Sequence, residues 1–353
     1  MRMLSWALAG KRVFVRADLN THLEPELFMQ SLKFQRSLHT LRYLKAHGAR
    51  VTLATHIDRP HGYDPRLSTQ QLVDYFIQVG FSCVWSDIEG LEPLLDQGHD
   101  LLLLENVRFY PQKERQSVDF ARKITKRCDF FVEDGFGVLA RNDSSSTTAA
   151  GLFNPADRSY GFLVQHELAH LKFFKDHAKK PYLLMIGGGK GLEKLESAYH
   201  FFDTATHIAL CPGVSELPES ASFVRDARAA AIDVLMPLDY LMYGTQKMSI
   251  GPETYLAWKK IIMSMRTIVF NGLMGMLELP ETTQYSRKLF ELFVHAGAHD
   301  GADIVIAGGD STLAAQLWGS LGERIYLSTG GGSTLKYLSG QPLPGLAVLG
   351  DVE

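Results

Sequence analysis

Nine short aliphatic or β-branched runs, separated by longer stretches with apolar residues at helical spacing, recur along almost the whole chain. That alternation builds parallel βαβ units. The runs are Arg12–Ala17, Arg50–Ala54, Leu101–Leu104, Phe130–Val132, Tyr182–Ile186, His207–Leu210, Thr267–Phe270, Asp303–Ala307 and Ile325–Leu327. They are continuous rather than alternating, as strands covered by helices on both faces require. The segments between them, such as Leu32 to His47 closed by Gly48, have a helical period and a left-handed stop. The chain therefore reads as α/β.

At 353 residues, the chain exceeds what one hydrophobic core usually supports, so two domains are expected. Between Ala140 and Gly161, the run Ser144-Ser145-Ser146-Thr147-Thr148 and the Gly, Asn and Pro after it read as a loop, neither helix nor strand. Phe162 to Lys179 then reads as one helix, which suits a hinge. The expected division is a first lobe at 1–160, a hinge helix at 161–180, a second lobe at 181–335 and a tail at 336–353.

Apolar residues make up 46% and charged residues 21%, which excludes a disordered or fibrous chain. The formal net charge of −3 provides no global basic field, so no nucleic-acid partner is expected. Cys83, Cys128 and Cys211 are odd in number and never paired as Cys-x-x-Cys; that argues against disulfides or a zinc ribbon and for a reducing cytoplasm. No stretch reaches the about 20 apolar residues that span a bilayer, and Leu4 to Ala9 is shorter than a signal-peptide core. A cytoplasmic protein with no membrane partner is the expectation.

In open parallel sheets, ligands bind beyond the carboxyl ends of the strands. In the first half those positions carry Asp18 and Asn20, His56 and Arg59, Asn106 and Arg108, Asp134 and, further on, Arg141. Guanidinium forks match carboxylate and phosphate oxygens, so the set describes a site for a small, multiply negative ligand. In the second half the same positions carry Gly187-Gly188-Gly189-Lys190, Asn271-Gly272, Gly308-Gly309-Asp310-Ser311 and Gly330-Gly331-Gly332-Ser333. Glycines admit phosphates close to backbone N–H groups at helix N-termini. Lys190 and Lys194 add charge, and Asp310 can hold magnesium through one carboxylate. No P-loop, dinucleotide fingerprint or serine nucleophile elbow is present. A basic lobe and a glycine-rich lobe on either side of a hinge point to phosphoryl transfer, driven by positioning and charge after closure excludes water.

The stretches KRVFVRADLN, GARVTLATHIDRP, LLLLENVRF, FFVEDGFG, PYLLMIGGGKGLEK, IGPETY, TIVFNGLMGMLE, IAGGDST and STGGGSTLKYLSGQPLPGLAVL run in unbroken order from Lys11 to Leu349. Together they resemble phosphoglycerate kinase. The resemblance implies two doubly wound parallel-sheet lobes of Rossmann-like type joined by a hinge helix, with a C-terminal tail returning to the first. It implies reversible transfer between 1,3-bisphosphoglycerate and ADP, giving 3-phosphoglycerate and ATP in glycolysis, with Mg2+ and a monomeric enzyme. By the same resemblance, Asp18, Asn20, His56, Arg59, Arg108 and Arg141 bind phosphoglycerate. Lys190, Lys194, Asn271, Glu278, Gly308, Gly309, Asp310, Ser311, Gly330, Gly331 and Gly332 serve the nucleotide, Asp310 the magnesium. Glu278 reads equally well as a cap or a solvated residue.

The chain departs from that pattern in several places. Lys33 falls where the family has a transition-state arginine, and it keeps the charge without the fork. Arg36, on the same helical face, is a candidate to share that role with Lys33 and Lys190. Ala140-Arg141-Asn142-Asp143 lacks the family's two imidazoles, Leu273 replaces a proline, Cys211-Pro212-Gly213 replaces a glycine-rich strand end, and Val214 to Asp233 is short. These departures leave a second reading open, a catalytically weakened homologue with a binding or regulatory role, and a third with altered nucleotide preference. His295 and His299 have metal-binding spacing, but the sequence reading sets a metal aside because no Glu intervenes and Gly297 lies between them.

Overall fold

The computed structural model describes residues Met1–Gly350, and the described chain divides into two compact units. The first holds Met1–Leu168 with the described residues from Pro342 on; the second is Ala169–Gln341.

In the first unit the strands are β1 (Arg12–Ala17), β2 (Arg50–Ala54), β3 (Cys83–Ser86), β4 (Leu101–Leu104), β5 (Phe130–Asp134) and β6 (Arg158–Tyr160). They form one sheet in the order β3-β4-β2-β1-β5-β6, parallel throughout. β1 sits centrally and is buried at every position. Val13 and Val15 enter one core cluster and Phe14 the other, so helices cover both faces. A strand buried on both faces has no polar side to alternate with.

The second unit contains β7 (Tyr182–Ile186), β8 (His207–Leu210), β9 (Asp233–Leu235), a hairpin of β10 (Tyr240–Tyr243) and β11 (Gln246–Ile250), then β12 (Thr267–Asn271), β13 (Asp303–Ala307) and β14 (Ile325–Ser328). Its parallel sheet runs β14-β13-β12-β7-β8-β9. Counted within the unit this is the 3-2-1-4-5-6 order of doubly wound nucleotide-binding sheets. The α/β reading therefore holds in both units.

The sequence reading missed β3, β6, β9 and the hairpin, and the cause is burial. β3, β6 and β9 are sheet edges, and each is partly exposed, with patterns such as polar Arg158-Ser159-Tyr160. An edge strand needs no continuous apolar run. The serine run is a correction. Ser144–Thr148 forms one π-helical turn, followed by the helix Ala149–Gly151 and then β6. The serines are buried and hydrogen-bonded, Ser144 Oγ donating to the Lys113 carbonyl at 2.7 Å. Serine disfavours helix interiors because its hydroxyl competes for local backbone groups; here the hydroxyls bond elsewhere in the fold.

The helix that begins at Phe162 ends at Asp176 rather than Lys179, and Lys179 N donates instead to Thr267 Oγ1 at 2.8 Å. In the first unit, Gly345 N donates to the Leu139 carbonyl at 2.9 Å, and Leu349 joins the core cluster around Phe14.

Candidate active site

Asp18, Asn20, His56, Arg59, Arg108 and Arg141 follow strands of the first sheet, and Asp18 and Asn20 are bonded together with Lys33. Asp18, one residue beyond β1, is buried; its Oδ2 accepts from Lys33 Nζ at 2.8 Å and its Oδ1 from Asn20 N at 3.2 Å. Lys33 Nζ also donates to the Asn20 carbonyl at 3.0 Å. Asn20 Oδ1 accepts from Asp58 N at 2.7 Å, tying the loop after β1 to the loop after β2. Thr55 Oγ1 accepts from Leu19 N at 2.9 Å in the same seam. Burial alone would raise the Asp18 carboxyl; the charge and hydrogen bond of Lys33, with the charge of Arg16, outweigh it and hold the group below its ordinary value.

His56 is buried, and Arg16 Nη2 lies 3.2 Å from its Nδ1. A guanidinium has no acceptor, so Nδ1 accepts and the proton of the neutral ring sits on Nε2. Nε2 is 3.9 Å from Asp18 Oδ1. Burial, then the charges of Arg108, Arg16, Lys33 and Arg141, push the imidazole well below its usual range. His56 is therefore a neutral N–H donor amid cations. Arg108 Nη1 donates to the Asp58 carbonyl at 2.6 Å; burial and the nearby charges of Arg141 and Arg16 bring its pKa down to about 10. Cations held this close repel one another, and an anion bound among them would relieve that repulsion.

Arg59 is exposed on the loop after β2 and Arg141 half-buried. Arg36 Nη1 is 3.4 Å from Glu167 Oε1 on the helix Phe162–Asp176, an ion pair within the first unit. Asn106 Nδ2 donates to the carbonyls of Ile57 and Leu67 at 2.8 and 2.9 Å, and its Oδ1 accepts from Arg108 N at 3.1 Å. It fixes the loop that carries Arg108.

A deeper layer escaped the sequence reading. Arg16 is fully buried; its Nε donates to Ser145 Oγ at 2.8 Å and its Nη1 to the Ala17 carbonyl. Ser145 Oγ in turn donates to Glu114, and Ser146 Oγ donates to Glu133 Oε2 at 2.5 Å. Burial lifts both carboxyls to about 7, against the pull of Arg16. The available signal was one charged residue inside an otherwise apolar strand, Arg16 in RVFVRA.

The pH dependence follows from these shifts. Glu114 and Glu133 have folded values above the ordinary carboxyl value, and burial raises Asp134 likewise. The folded state then holds more protons, so stability falls as pH rises toward about 7. His56 acts oppositely, but only below about 6.5, where the unfolded imidazole charges. Denaturant melts should therefore show the first unit losing stability as pH rises from about 4.5 to about 7, least steeply below about 6.5 where His56 opposes it, and levelling above that. Glu133→Gln should flatten the slope, and an unchanged slope in the variant would contradict the assignment.

In the second unit the strand order reverses between β7 and β12, where ligand crevices form. Gly187 N donates to the Asn271 carbonyl at 3.1 Å. A side chain on Gly272, at φ +118°, would start 1.9 Å from the Gly187 carbonyl oxygen, so the two loops approach as only glycine allows. Lys194 Nζ donates to the Gly187 and Asn271 carbonyls; burial and the charge of Lys190 lower it to about 8. Lys190 is exposed, left-handed at φ 63°, and caps the helix Gly191–Tyr199.

Asn271 Nδ2 donates to the Gly331 carbonyl at 2.8 Å, joining the ends of β12 and β14. Gly308, at φ +102°, caps the helix Gly309–Leu317, which carries exposed Asp310 and buried Ser311 in its first turn. Gly308 N donates to the Ser328 carbonyl at 3.2 Å, and a Gly331 side chain would begin 3.9 Å from Gly308 Cα. Gly330 precedes Gly331, and Gly332 opens the helix Gly332–Leu338. Glu278 is exposed on the loop after β12.

A sequence model of phosphoglycerate kinase matches residues 3–218 and 217–341. The chain belongs to the phosphoglycerate kinase family. Among curated phosphoglycerate kinases, the cytosolic protein of Nicotiana tabacum is 29% identical over 98% of this chain and 96% of its own length. That of Borreliella afzelii is 28% identical over 97% of each. The phosphoglycerate kinase structures from Pyrococcus horikoshii and Coxiella burnetii share the fold, with TM-scores of 0.77 and 0.69 at 24% and 20% identity. They cover 99% and 98% of this chain and 98% of their own. The tobacco alignment spans 394 positions, more than this phosphoglycerate kinase homologue has residues, so gaps fall in this chain.

Proposed function

We infer that the protein is a phosphoglycerate kinase. It transfers a phosphoryl group reversibly between the acyl phosphate of 1,3-bisphosphoglycerate and ADP, giving 3-phosphoglycerate and ATP in glycolysis. The carrying observation is family membership across both units. No observation favours a homologue confined to binding or regulation.

The roles of individual residues follow from chemistry. In the first unit Arg59, Arg108 and Arg141 take the phosphate and carboxylate oxygens, neutral His56 donates from Nε2, and Asp18 and Asn20 hold the hydroxyl and Lys33. Lys33 spends two of its three N–H donors on Asp18 and Asn20 and offers the third to the transferring phosphoryl group. In the second unit Gly187, Gly308 and Gly330 spend their own N–H groups within the fold and let the backbone come close, while the helix starts that follow, at Gly191, Gly309 and Gly332, direct backbone N–H groups to the nucleotide phosphates. Lys190 supplies the second cation, with Lys194, Asn271, Ser311 and Glu278 around the nucleotide. Transfer is direct, with no covalent enzyme intermediate; the enzyme positions and neutralises. Arg36 is assigned to orienting the helix that bears Lys33, because it is paired with Glu167.

Among the described residues no group of three or more His, Cys, Asp or Glu side chains gathers as a metal cage. Asp310 alone on an exposed first turn fits Mg2+, which is held by one or two carboxylates and the substrate's own phosphates. When bound, the ion supplies charge neutralisation on the nucleotide phosphates. No described helix is long and apolar enough to cross a membrane; a monomer in the cytoplasm without nucleic-acid partners completes the proposal.

A coupled assay with 3-phosphoglycerate and MgATP should give steady turnover, with calorimetry showing binding of both substrates. Binding without turnover at millimolar substrate would overturn the kinase reading in favour of the weakened homologue. Turnover with GTP exceeding that with ATP would reassign the nucleotide.

A further inference from the structure

The second unit carries two imidazoles that the proposed reaction does not use. His295 and His299 lie one turn apart near the end of the helix Gln284–Asp300. Both are exposed, and their ring centres are 4.5 Å apart. Metal–nitrogen bonds are about 2 Å, so rings this close suit two adjacent positions around one ion. Beside them, Asp300 Oδ2 is 3.9 Å from His295 Nδ1. That oxygen is buried and has no hydrogen-bond partner among the described residues. A buried carboxylate oxygen without a partner calls for an explanation.

We propose that His295 and His299 form a two-imidazole site for a divalent transition-metal ion, copper(II) foremost, with Asp300 orienting His295. The two reasons that set a metal aside on sequence do not survive the structure. The Glu of the H-E-x-x-H motif is a general base and not a metal ligand. Gly297 is buried on another side of the helix, where a side chain would meet Ile304 at 3.3 Å.

Three further features favour a cation here. The carbonyl end of the helix carries partial negative charge, which a cation complements. The helix stops at left-handed Gly301, φ 68°, so the site sits in the last turn. Asp300 Oδ2 faces His295 Nδ1 from 3.9 Å without a hydrogen bond; a small turn of the exposed ring would close that gap and leave Nε2 as the metal-facing nitrogen, the arrangement common behind metal-bound histidines. Opposing these, Arg266 donates to the Asp300 main-chain carbonyl; it engages the backbone and leaves Oδ2 unbonded. Imidazole donors place copper(II) above nickel(II) and zinc(II), and exclude magnesium. Solvent or other ligands complete the coordination shell.

The test is calorimetric titration of the full chain, without a histidine tag, in a non-chelating buffer near neutral pH. CuCl2, NiCl2, ZnCl2 and MgCl2 are compared, with electron paramagnetic resonance reporting nitrogen ligation of copper. One copper(II) per chain should bind most tightly. His295→Ala and His299→Ala should each weaken that binding about tenfold or more, and Asp300→Asn about tenfold. Copper should raise the melting temperature of the parent and not of the double histidine variant. Both rings are exposed, so the variants should fold; His295→Gln and His299→Gln serve if circular dichroism shows otherwise. Parent-like affinity in either single histidine variant, or no copper bound by the parent at micromolar concentrations, overturns the proposal.

Discussion

Lys33→Met should lower kcat/KM for phosphoryl transfer by about 10³, with kcat carrying most of the loss. Removing a cation that stabilises the transferring group costs about 10³–10⁵ in phosphoryl transferases. The lower end applies because other cations of the site remain. Met keeps the length of the stem, so the change is mainly electrostatic. The same substitution strips Asp18 of a 2.8 Å ion pair while leaving it buried. Lys33 is foremost among the groups, with Arg16 and the Asn20 N–H, that hold Asp18 below its ordinary value against burial, so its carboxyl should rise in the variant. The acid limb of the rate profile should then move to higher pH. Lys33→Arg restores the charge and adds the fork that grips two oxygens at once; it should match or exceed the parent. Steady-state kinetics with 3-phosphoglycerate and MgATP across pH settles both arms. A Lys33→Met rate within tenfold of the parent would show that Lys33 serves only to hold Asp18.

The parts legible in the sequence and the parts that were not divide along burial. Interior strands such as Arg12–Ala17 and Tyr182–Ile186 announce themselves because both faces must be apolar. Edge strands such as Arg158–Tyr160 have a polar side and look like loops. The crevice residues Asp18, His56 and Arg108 were findable because topology fixes where strand ends lie. What they rest on was not: Glu114 lies in Gln112-Lys113-Glu114-Arg115, which reads as solvated surface, and the serine run reads as a linker. Both are buried, and they meet through Ser145. Long-range pairing of polar groups leaves no local period. The histidine pair inverts the lesson, since its spacing was visible and only the unpartnered Asp300 oxygen gave it meaning.

Arg16→Met should destabilise the first unit by about 3–5 kcal/mol, the usual cost of removing one partner from a buried charged network. Arg16 is the largest fully buried side chain, and its donors reach Ser145, His56 and the Ala17 carbonyl. Met fills much of the volume but bonds none of these acceptors, and each buried group left unpaired carries its own desolvation cost. The loss should depend on pH in a defined direction. Arg16 pulls Glu114 and Glu133 downward, so without it their carboxyls titrate higher still. Protonated, they hardly feel the missing charge; ionised, they face burial with no cation behind Ser145. Denaturant melts should accordingly show a larger loss at pH 8 than at pH 6. Arg16→Lys keeps the charge but loses the planar fork that spans Ser145 and His56. It should recover most of the stability and still bind 3-phosphoglycerate weakly, because nothing then fixes the proton of His56 on Nε2. If Arg16→Met does not fold, the lysine variant carries the test alone: parent-like stability with parent-like affinity would mean that the guanidinium neither supports the carboxyls nor sets the imidazole.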